Sequence, residues 1–182
     1  MNDRRTAAVA VAILNAPPFG IVFVERAAHL RDHPGQIGLP GGGVDPEDGG
    51  DLERTVLREL REEVGVAPER VRIVGRLPVR SQQVNTFDVT PFVAVVAPGP
   101  LTIDATETAG VFTIPLDVVI SDALGRGTVA VGDRLVETFI LDYDERRVWG
   151  LTGRILRSFA EAWHDPANGL RAAVEAELTR RA

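Results

Sequence analysis

Short apolar runs separated by turn residues are the most regular feature of the first two thirds of the chain. The runs at 7–14 and 21–24 flank the segment Asn15-Ala-Pro-Pro-Phe-Gly20, a composition typical of the turn of a β-hairpin. Further apolar stretches predict strands at 37–39, 71–79, 87–96, 111–114, 129–131 and 135–141. Each run is shorter than a membrane-spanning segment requires.

Four other segments carry the apolar pattern of helices. In the clearest one, 51–64, Leu57, Leu60 and Val64 share one face at 3.6-residue spacing, and Gly65 follows as a C-terminal stop. The remaining helices are predicted at 115–124, 151–163 and 170–180. The order of strands, helix, strands, helix, strands and helices predicts an α/β fold in which helices cover a mixed central β-sheet.

Length and charge narrow the class of protein. The chain has 182 residues, a length typical of one domain, so a single domain is predicted over 1–182. It contains no cysteine, which excludes disulfides and thiolate chemistry. With 20 Lys+Arg against 26 Asp+Glu its net charge is −6, whereas nucleic-acid binding favours a basic surface. We therefore expect a soluble cytoplasmic protein with neither a nucleic-acid nor a membrane partner.

Most of the negative charge lies on and just before the helix predicted at 51–64. On a helix, Glu59, Glu62 and Glu63 fall within an arc of roughly 100°, next to the apolar face. Like charges at this spacing repel one another, and a hard divalent cation such as Mg²⁺ would offset the repulsion. Arg58 is the candidate for a partner that orients one of these carboxylates. The alternative is a solvated helix face whose acidic residues pair with neighbouring arginines.

The residues around this helix resemble the box of the Nudix hydrolases, G-x5-E-x7-R-E-U-x-E-E-x-G-U, where U is aliphatic. The match covers about 41–66, and from Arg58 to Val66 every specified position agrees. The first half departs, because ten residues separate Glu47 from Arg58 instead of seven. Glu47, Asp48 and Asp51 are therefore all candidates for the first box acid.

The Nudix resemblance implies an α/β/α sandwich and Mg²⁺- or Mn²⁺-dependent hydrolysis of a nucleoside diphosphate linked to another group. It assigns the metal to Glu59, Glu62 and Glu63, with Glu59 and Glu63 also counted as catalytic. Glu107, on a distal loop, is a second candidate for the general base beside Glu59, although it is also compatible with a plain surface acid.

The segment 24–42 is similar to the signature of the coenzyme A diphosphatase branch, and a later stretch, 148–156, resembles that branch near its C-terminus. Departures occur at Val24, Ala27 and Leu39. The resemblance implies that coenzyme A is cut into 3′,5′-ADP and 4′-phosphopantetheine. Its matching residues are candidates for substrate contact: Arg26, Arg31, His33, Gln36, Gly41 and Gly42.

Other interpretations stay open at this point. The loop residues can instead serve to shape the loop. The substrate can instead be ADP-ribose, a dinucleotide or a nucleoside triphosphate. A Nudix-fold ligand sensor without catalysis would be expected to lack a box glutamate, and all three are present here. The sequence also leaves a homodimer possible without predicting one.

Overall fold

The computed structural model describes residues 5–29, 34–78, 80–81, 87–106 and 108–180. Eleven strands lie in these ranges: β1 Arg5–Leu14, β2 Gly20–Arg26, β3 Ile37–Gly38, β4 Gly41–Gly43, β5 Val71–Arg76, β6 Arg80–Ser81, β7 Phe87–Val96, β8 Thr108–Pro115, β9 Gly125–Val131, β10 Arg134–Tyr143 and β11 Arg146–Val148. The helices of the same ranges are α1 Leu52–Val64, α2 Leu116–Val119, α3 Gly150–His164 and α4 Leu170–Thr179. Within this part of the chain, no helix has both the length and the apolar character needed to cross a membrane.

The central sheet is mixed, as the alternation of strands and helices predicts. Strand β1 pairs in parallel with β7 from Arg5↔Phe87 to Leu14↔Val96, whereas the other pairings are antiparallel. On its other edge β1 pairs first with β4 and then, at its end, with β2. Strand β2 in turn pairs with β3 and β8, and β9, β10 and β11 form a separate three-stranded sheet.

Helices cover both faces of the central sheet. On one face, Val56, Leu60 and Val64 of α1 pack against alternate small residues of β1 and against β7. On the opposite face, α3 and α4 bury a larger cluster that includes Phe159 and Trp163. From Ala8 to Leu14 the even positions of β1 face α1 and the odd ones face α3, as the two-residue period of a strand requires. The predicted α/β/α arrangement with a mixed sheet is therefore confirmed.

Two predictions differ most from the structure; in addition, the strand predicted at 71–79 ends earlier, at Arg76, and the one at 129–131 begins earlier, at Gly125. The helix predicted at 115–124 is wrong beyond Val119, where α2 ends. The Ser121 hydroxyl donates to the Val118 carbonyl and accepts from the Ala123 N–H, a local turn that competes with further helix. The second difference is Gly41–Gly43, expected as loop, which pairs with β1 as strand β4.

Gly65 ends α1 for a reason that combines backbone conformation with packing. Its φ of 66° lies in the left-handed region, and its N–H donates to the Arg61 carbonyl of the last turn. The loop after β7 also comes close, because the Thr102 N–H donates to the Val64 carbonyl at 3.1 Å. A Cβ at residue 65 would run into the Thr102 side chain.

Gly65→Ala is therefore expected to destabilise the fold through two effects, left-handed strain of roughly 1–2 kcal/mol and the collision with Thr102. Gly132→Ala is the matched control, because Gly132 has φ 56° and open space around its Cβ position. Urea unfolding of both variants should show the larger loss of unfolding free energy at residue 65. Equal losses would mean that the approach of Thr102 contributes nothing.

Candidate active site

Strand β4 brings backbone groups directly against two of the predicted carboxylates. The Gly41 N–H donates to Glu63 Oε2 at 2.9 Å, and Glu63 is buried with 8% of its surface exposed. The Glu59 carboxylate lies against Gly42, where a Cβ would come within 2.8 Å of Glu59 Cδ. Glycine at residue 42 thus makes room for an acidic side chain, and glycine at residue 41, with φ 147°, permits the backbone conformation that aims its N–H at Glu63.

A single guanidinium, that of Arg58, joins the remaining acidic groups of the box. Its Nη1 donates at 2.9 Å to both Glu59 Oε1 and Glu62 Oε2. Its Nη2 donates to the Gly43 carbonyl at 2.9 Å, so the same side chain also contacts β4. On its other edge, Nε and Nη2 each reach one oxygen of Asp48 at 3.1 Å, a bidentate pair. Arg58 therefore has the contacts that an orienting partner needs.

Asp48 is the acid that fixes Arg58. The carboxylate is 3% exposed and accepts from the Thr55 hydroxyl at 2.8 Å and from the Asp45 N–H at 2.9 Å, in addition to Arg58. The hydrogen bonds from Arg58 are the largest cause that lowers the pKa of Asp48 to about 2, outweighing its burial. Arg58 is correspondingly held in its charged form, its pKa raised by the same pair.

The three candidates for the first box acid differ in their exposure and in their hydrogen-bond partners. Glu47 is exposed, Asp51 caps α1 by accepting from the Glu53 N–H at 2.9 Å, and Asp48 contacts Arg58. A 3₁₀ turn at Pro46–Asp48 begins with a capping box in which Asp45 and Asp48 each bond the other's backbone. That pattern, Asp-Pro-Glu-Asp, is the sequence signal that distinguishes Asp48 from its neighbours.

The three predicted metal ligands lie on adjoining turns of α1, in different surroundings. Glu62 has 49% of its side chain exposed, Glu59 has 13%, and Glu63 is the buried one. Among the described residues, no three Asp, Glu or His side chains converge tightly enough to hold an ion, because Arg58 engages Glu59 and Glu62 while Glu63 bonds to Gly41. The carboxylate oxygens of these three residues are nevertheless the type of ligand that a hard cation such as Mg²⁺ or Mn²⁺ prefers.

The loop that carries the substrate-binding candidates is closed at its base by backbone hydrogen bonds. Backbone hydrogen bonds join Arg26 and Gln36, from N–H to carbonyl at 3.1 Å, and Gly35 donates back to the Arg26 carbonyl. The side chain of Gln36 approaches Gly150, the first residue of α3: its Nε2 is 3.6 Å from the position that a Cβ added to Gly150 would occupy. The two segments that resemble the coenzyme A branch, 24–42 and 148–156, thus meet in the fold.

Three predicted site residues, Arg31, His33 and Glu107, lie outside the described residues. Their neighbours do meet, because His29 Nε2 lies 3.0 Å from the Thr106 carbonyl oxygen. The roles proposed for these three residues stay predictions.

Replacing Asp48 tests how much the buried pair stabilises the protein. Asp48→Asn should lower the free energy of unfolding at pH 7 by about 1.5–3 kcal/mol, the range for hydrogen bonds to charged groups. Because the pKa of Asp48 falls from 3.8 to about 2 on folding, this contribution is complete above about pH 4 and disappears as the pH falls through 2. The stability gap between wild type and variant should therefore close in acid.

Asp51→Asn is the matched control, since asparagine caps a helix as well as aspartate does. Urea unfolding of both variants between pH 7 and pH 2 provides the measurement. A gap for Asp48→Asn that is independent of pH would contradict the assignment of charge to this pair.

Comparison with known proteins identifies the family of this chain. Residues 4–125 match the NUDIX domain family. The Nudix hydrolase NudL of Salmonella paratyphi B is 34% identical over 166 residues, which cover 87% of this chain and 82% of NudL, and NudL of Salmonella newport is equally similar.

Among solved structures, a Nudix hydrolase family member from Chromobacterium violaceum superposes with a TM-score of 0.57 at 18% identity and covers 97% of this chain and 89% of its own. The NUDIX domain of NrtR from Shewanella oneidensis, solved with ADP ribose, gives a TM-score of 0.52 at 24% identity over 64% of this chain and 76% of its own. With the family match over residues 4–125 and a relative 34% identical over most of both chains, this chain belongs to the Nudix hydrolase family and is a Nudix pyrophosphohydrolase.

Proposed function

We propose that this Nudix hydrolase cleaves the pyrophosphate bond of coenzyme A or its derivatives and releases 3′,5′-ADP and 4′-phosphopantetheine. One observation carries the choice of substrate. The segment 24–42, whose sequence resembles the coenzyme A branch, has Gly41 and Gly42 against the box carboxylates and Gln36 against Gly150. The segment 24–42 thus contacts both the box carboxylates and the start of the second segment that resembles this branch, which supports coenzyme A as the proposed substrate.

The metal is proposed to be Mg²⁺ or Mn²⁺, held by Glu59, Glu62 and Glu63. Such an ion, when bound, lowers the pKa of a coordinated water and neutralises charge on the pyrophosphate. The chain's own part is to hold the carboxylates: Arg58 positions Glu59 and Glu62, and the Gly41 N–H positions Glu63.

The reaction also needs a proton acceptor and two phosphate products. The oxygen of water forms a bond to one phosphorus, the bridging P–O bond breaks, and the leaving phosphate takes the electron pair. Glu59 and Glu107 are the two candidates to accept the proton of that water. Of these two, Glu59 is the one among the described residues, and its Oε1 lies 2.9 Å from Arg58 Nη1.

A substrate panel tests the proposal directly. Wild-type protein with Mg²⁺ or Mn²⁺ is offered coenzyme A, ADP-ribose, a dinucleoside polyphosphate and a nucleoside triphosphate, and the products are identified by mass. Coenzyme A should have the highest kcat/KM and yield 3′,5′-ADP. A preference for another member of the panel would overturn the choice of substrate and leave the membership of the Nudix family intact.

Arg26 provides a sharper prediction about how the substrate is recognised. If Arg26 binds the 3′-phosphate of coenzyme A, dephospho-coenzyme A should be a poorer substrate, and Arg26→Ala should erase that difference. The loss of one charge-assisted hydrogen bond should lower kcat/KM by about 10- to 150-fold. The measurement is kcat/KM on both substrates for wild type, Arg26→Ala and Arg31→Ala.

Arg180→Ala controls for the loss of one surface charge, because Arg180 is 72% exposed on the C-terminal side of α4. It should leave the preference unchanged. If the loop arginines only shape the loop, both substrates will lose activity equally in Arg26→Ala and Arg31→Ala.

A further inference from the structure

A cleft of about 430 Å³ opens at the start of β1, next to the box helix. Its walls include Arg5, Gly43, Gly50, Leu52 and Phe87, which come from β1, β4, the box loop, α1 and β7. The volume falls within the ~300–1,000 Å³ of typical small-molecule sites. None of these five residues was a candidate for metal or substrate contact in the sequence, although Gly43, Gly50 and Leu52 lie within the box match at 41–66.

One wall of the cleft is a stacked pair of flat groups. The Arg5 guanidinium carbon lies 4.2 Å from the centre of the Phe87 ring, a cation–π arrangement. The two residues are direct partners in the parallel pairing of β1 with β7, so the sheet itself fixes their spacing. Such a surface suits a planar aromatic ligand, because bases stack on both aromatic rings and guanidinium planes.

The other side of the cleft is apolar and open. Leu52 contributes a hydrophobic side chain, and Gly50, with φ 80°, contributes none; a Cβ there would meet nothing within 4 Å. Of the described residues that line the cleft, Arg5 is the charged one. A neutral aromatic ring attached to an anionic group matches this composition.

Strand β4 connects the cleft to the carboxylates. Gly43 lines the cleft and its carbonyl accepts from Arg58 Nη2 at 2.9 Å, while Gly42, one residue earlier, lies against Glu59. Strand β4 therefore joins the cleft to the groups proposed to hold the metal, and Gly43 contacts both the cleft and Arg58.

The box loop, which is longer than in the general pattern, forms part of the same cleft. Ten residues separate Glu47 from Arg58 where the general pattern has seven, and Gly50 is one of them. The loop thus departs from the pattern at the place where it forms a wall.

We propose that this cleft holds the purine base of the substrate, stacked on the Arg5–Phe87 pair. The inference rests on the proposed function only in that the substrate is an adenine nucleoside diphosphate; coenzyme A and ADP-ribose both qualify. It makes Arg5 and Phe87 determinants of base recognition.

Two probes that differ only by the base test the proposal. AMP and ribose 5-phosphate share the sugar and phosphate, and their affinities for the whole protein are measured by calorimetry. Wild type should bind AMP more tightly than ribose 5-phosphate. Phe87→Leu should weaken the affinity for AMP by about 5- to 150-fold, the range for loss of one base–aromatic stack, and should change the affinity for ribose 5-phosphate little. Phe87→Tyr, which keeps the ring, should restore the preference.

Two variants isolate the arginine. Arg5→Gln should reduce the preference for AMP. Arg171→Gln, which removes a cation–π contact between Arg171 of α4 and Trp163 of α3, should leave it unchanged. The proposal is overturned if Phe87→Leu keeps the wild-type ratio of the two affinities, or if wild type binds both probes equally.

The type of inhibition by AMP shows whether the cleft binds the base of the substrate or a separate nucleotide effector. AMP should inhibit competitively; non-competitive inhibition would overturn the proposal, because the base would then bind outside the substrate site. The substrate panel fails or succeeds independently, since it measures which pyrophosphate is cut and these titrations measure only the contribution of the base.

Discussion

The contact between Arg58 and Asp48 holds the acidic box together. Three glutamates on adjoining turns of α1 repel one another, and the neighbouring core makes that repulsion stronger. Arg58 offsets it by contacting Glu59 and Glu62 with one nitrogen. The guanidinium can serve two carboxylates at once only because its opposite edge is fixed by a bidentate pair with a buried, ionised Asp48.

The sheet supplies the second restraint. Strand β4 consists of three glycines, so backbone atoms approach α1 more closely than any side chain would allow. One of them donates to Glu63, another makes room for Glu59, and the third accepts from Arg58. The same strand forms a wall of the cleft with Arg5 and Phe87. A short glycine strand thus joins the proposed metal ligands to the proposed base pocket.

Much of this architecture could be predicted from periodicity. The 3.6-residue spacing of Leu57, Leu60 and Val64 predicted α1, and the apolar run at 87–96 matches β7. Strand β4 could not be predicted, because glycine carries no apolar pattern and has low strand propensity; its pairing with β1 comes from tertiary structure. The helix expected at 115–124 failed because a serine side chain offers the backbone other hydrogen bonds.

The site was predictable in its residue types and less so in its contacts. Clustered glutamates indicated an acidic edge on α1, but spacing in a lengthened loop could not choose among Glu47, Asp48 and Asp51. Burial and hydrogen bonding distinguish Asp48 as the one of these three that contacts Arg58. The cleft at Arg5 and Phe87 left no signal in the sequence, because its two halves are 82 positions apart and meet only when β1 pairs with β7.

Measuring hydrolysis by Glu63→Gln at saturating Mg²⁺ tests the metal assignment most directly. The glutamine oxygen can still accept from Gly41, so the variant should unfold like wild type while its turnover falls at least ~100-fold, the scale expected when a charge-stabilising group is lost. Wild-type turnover by this variant would contradict the assignment.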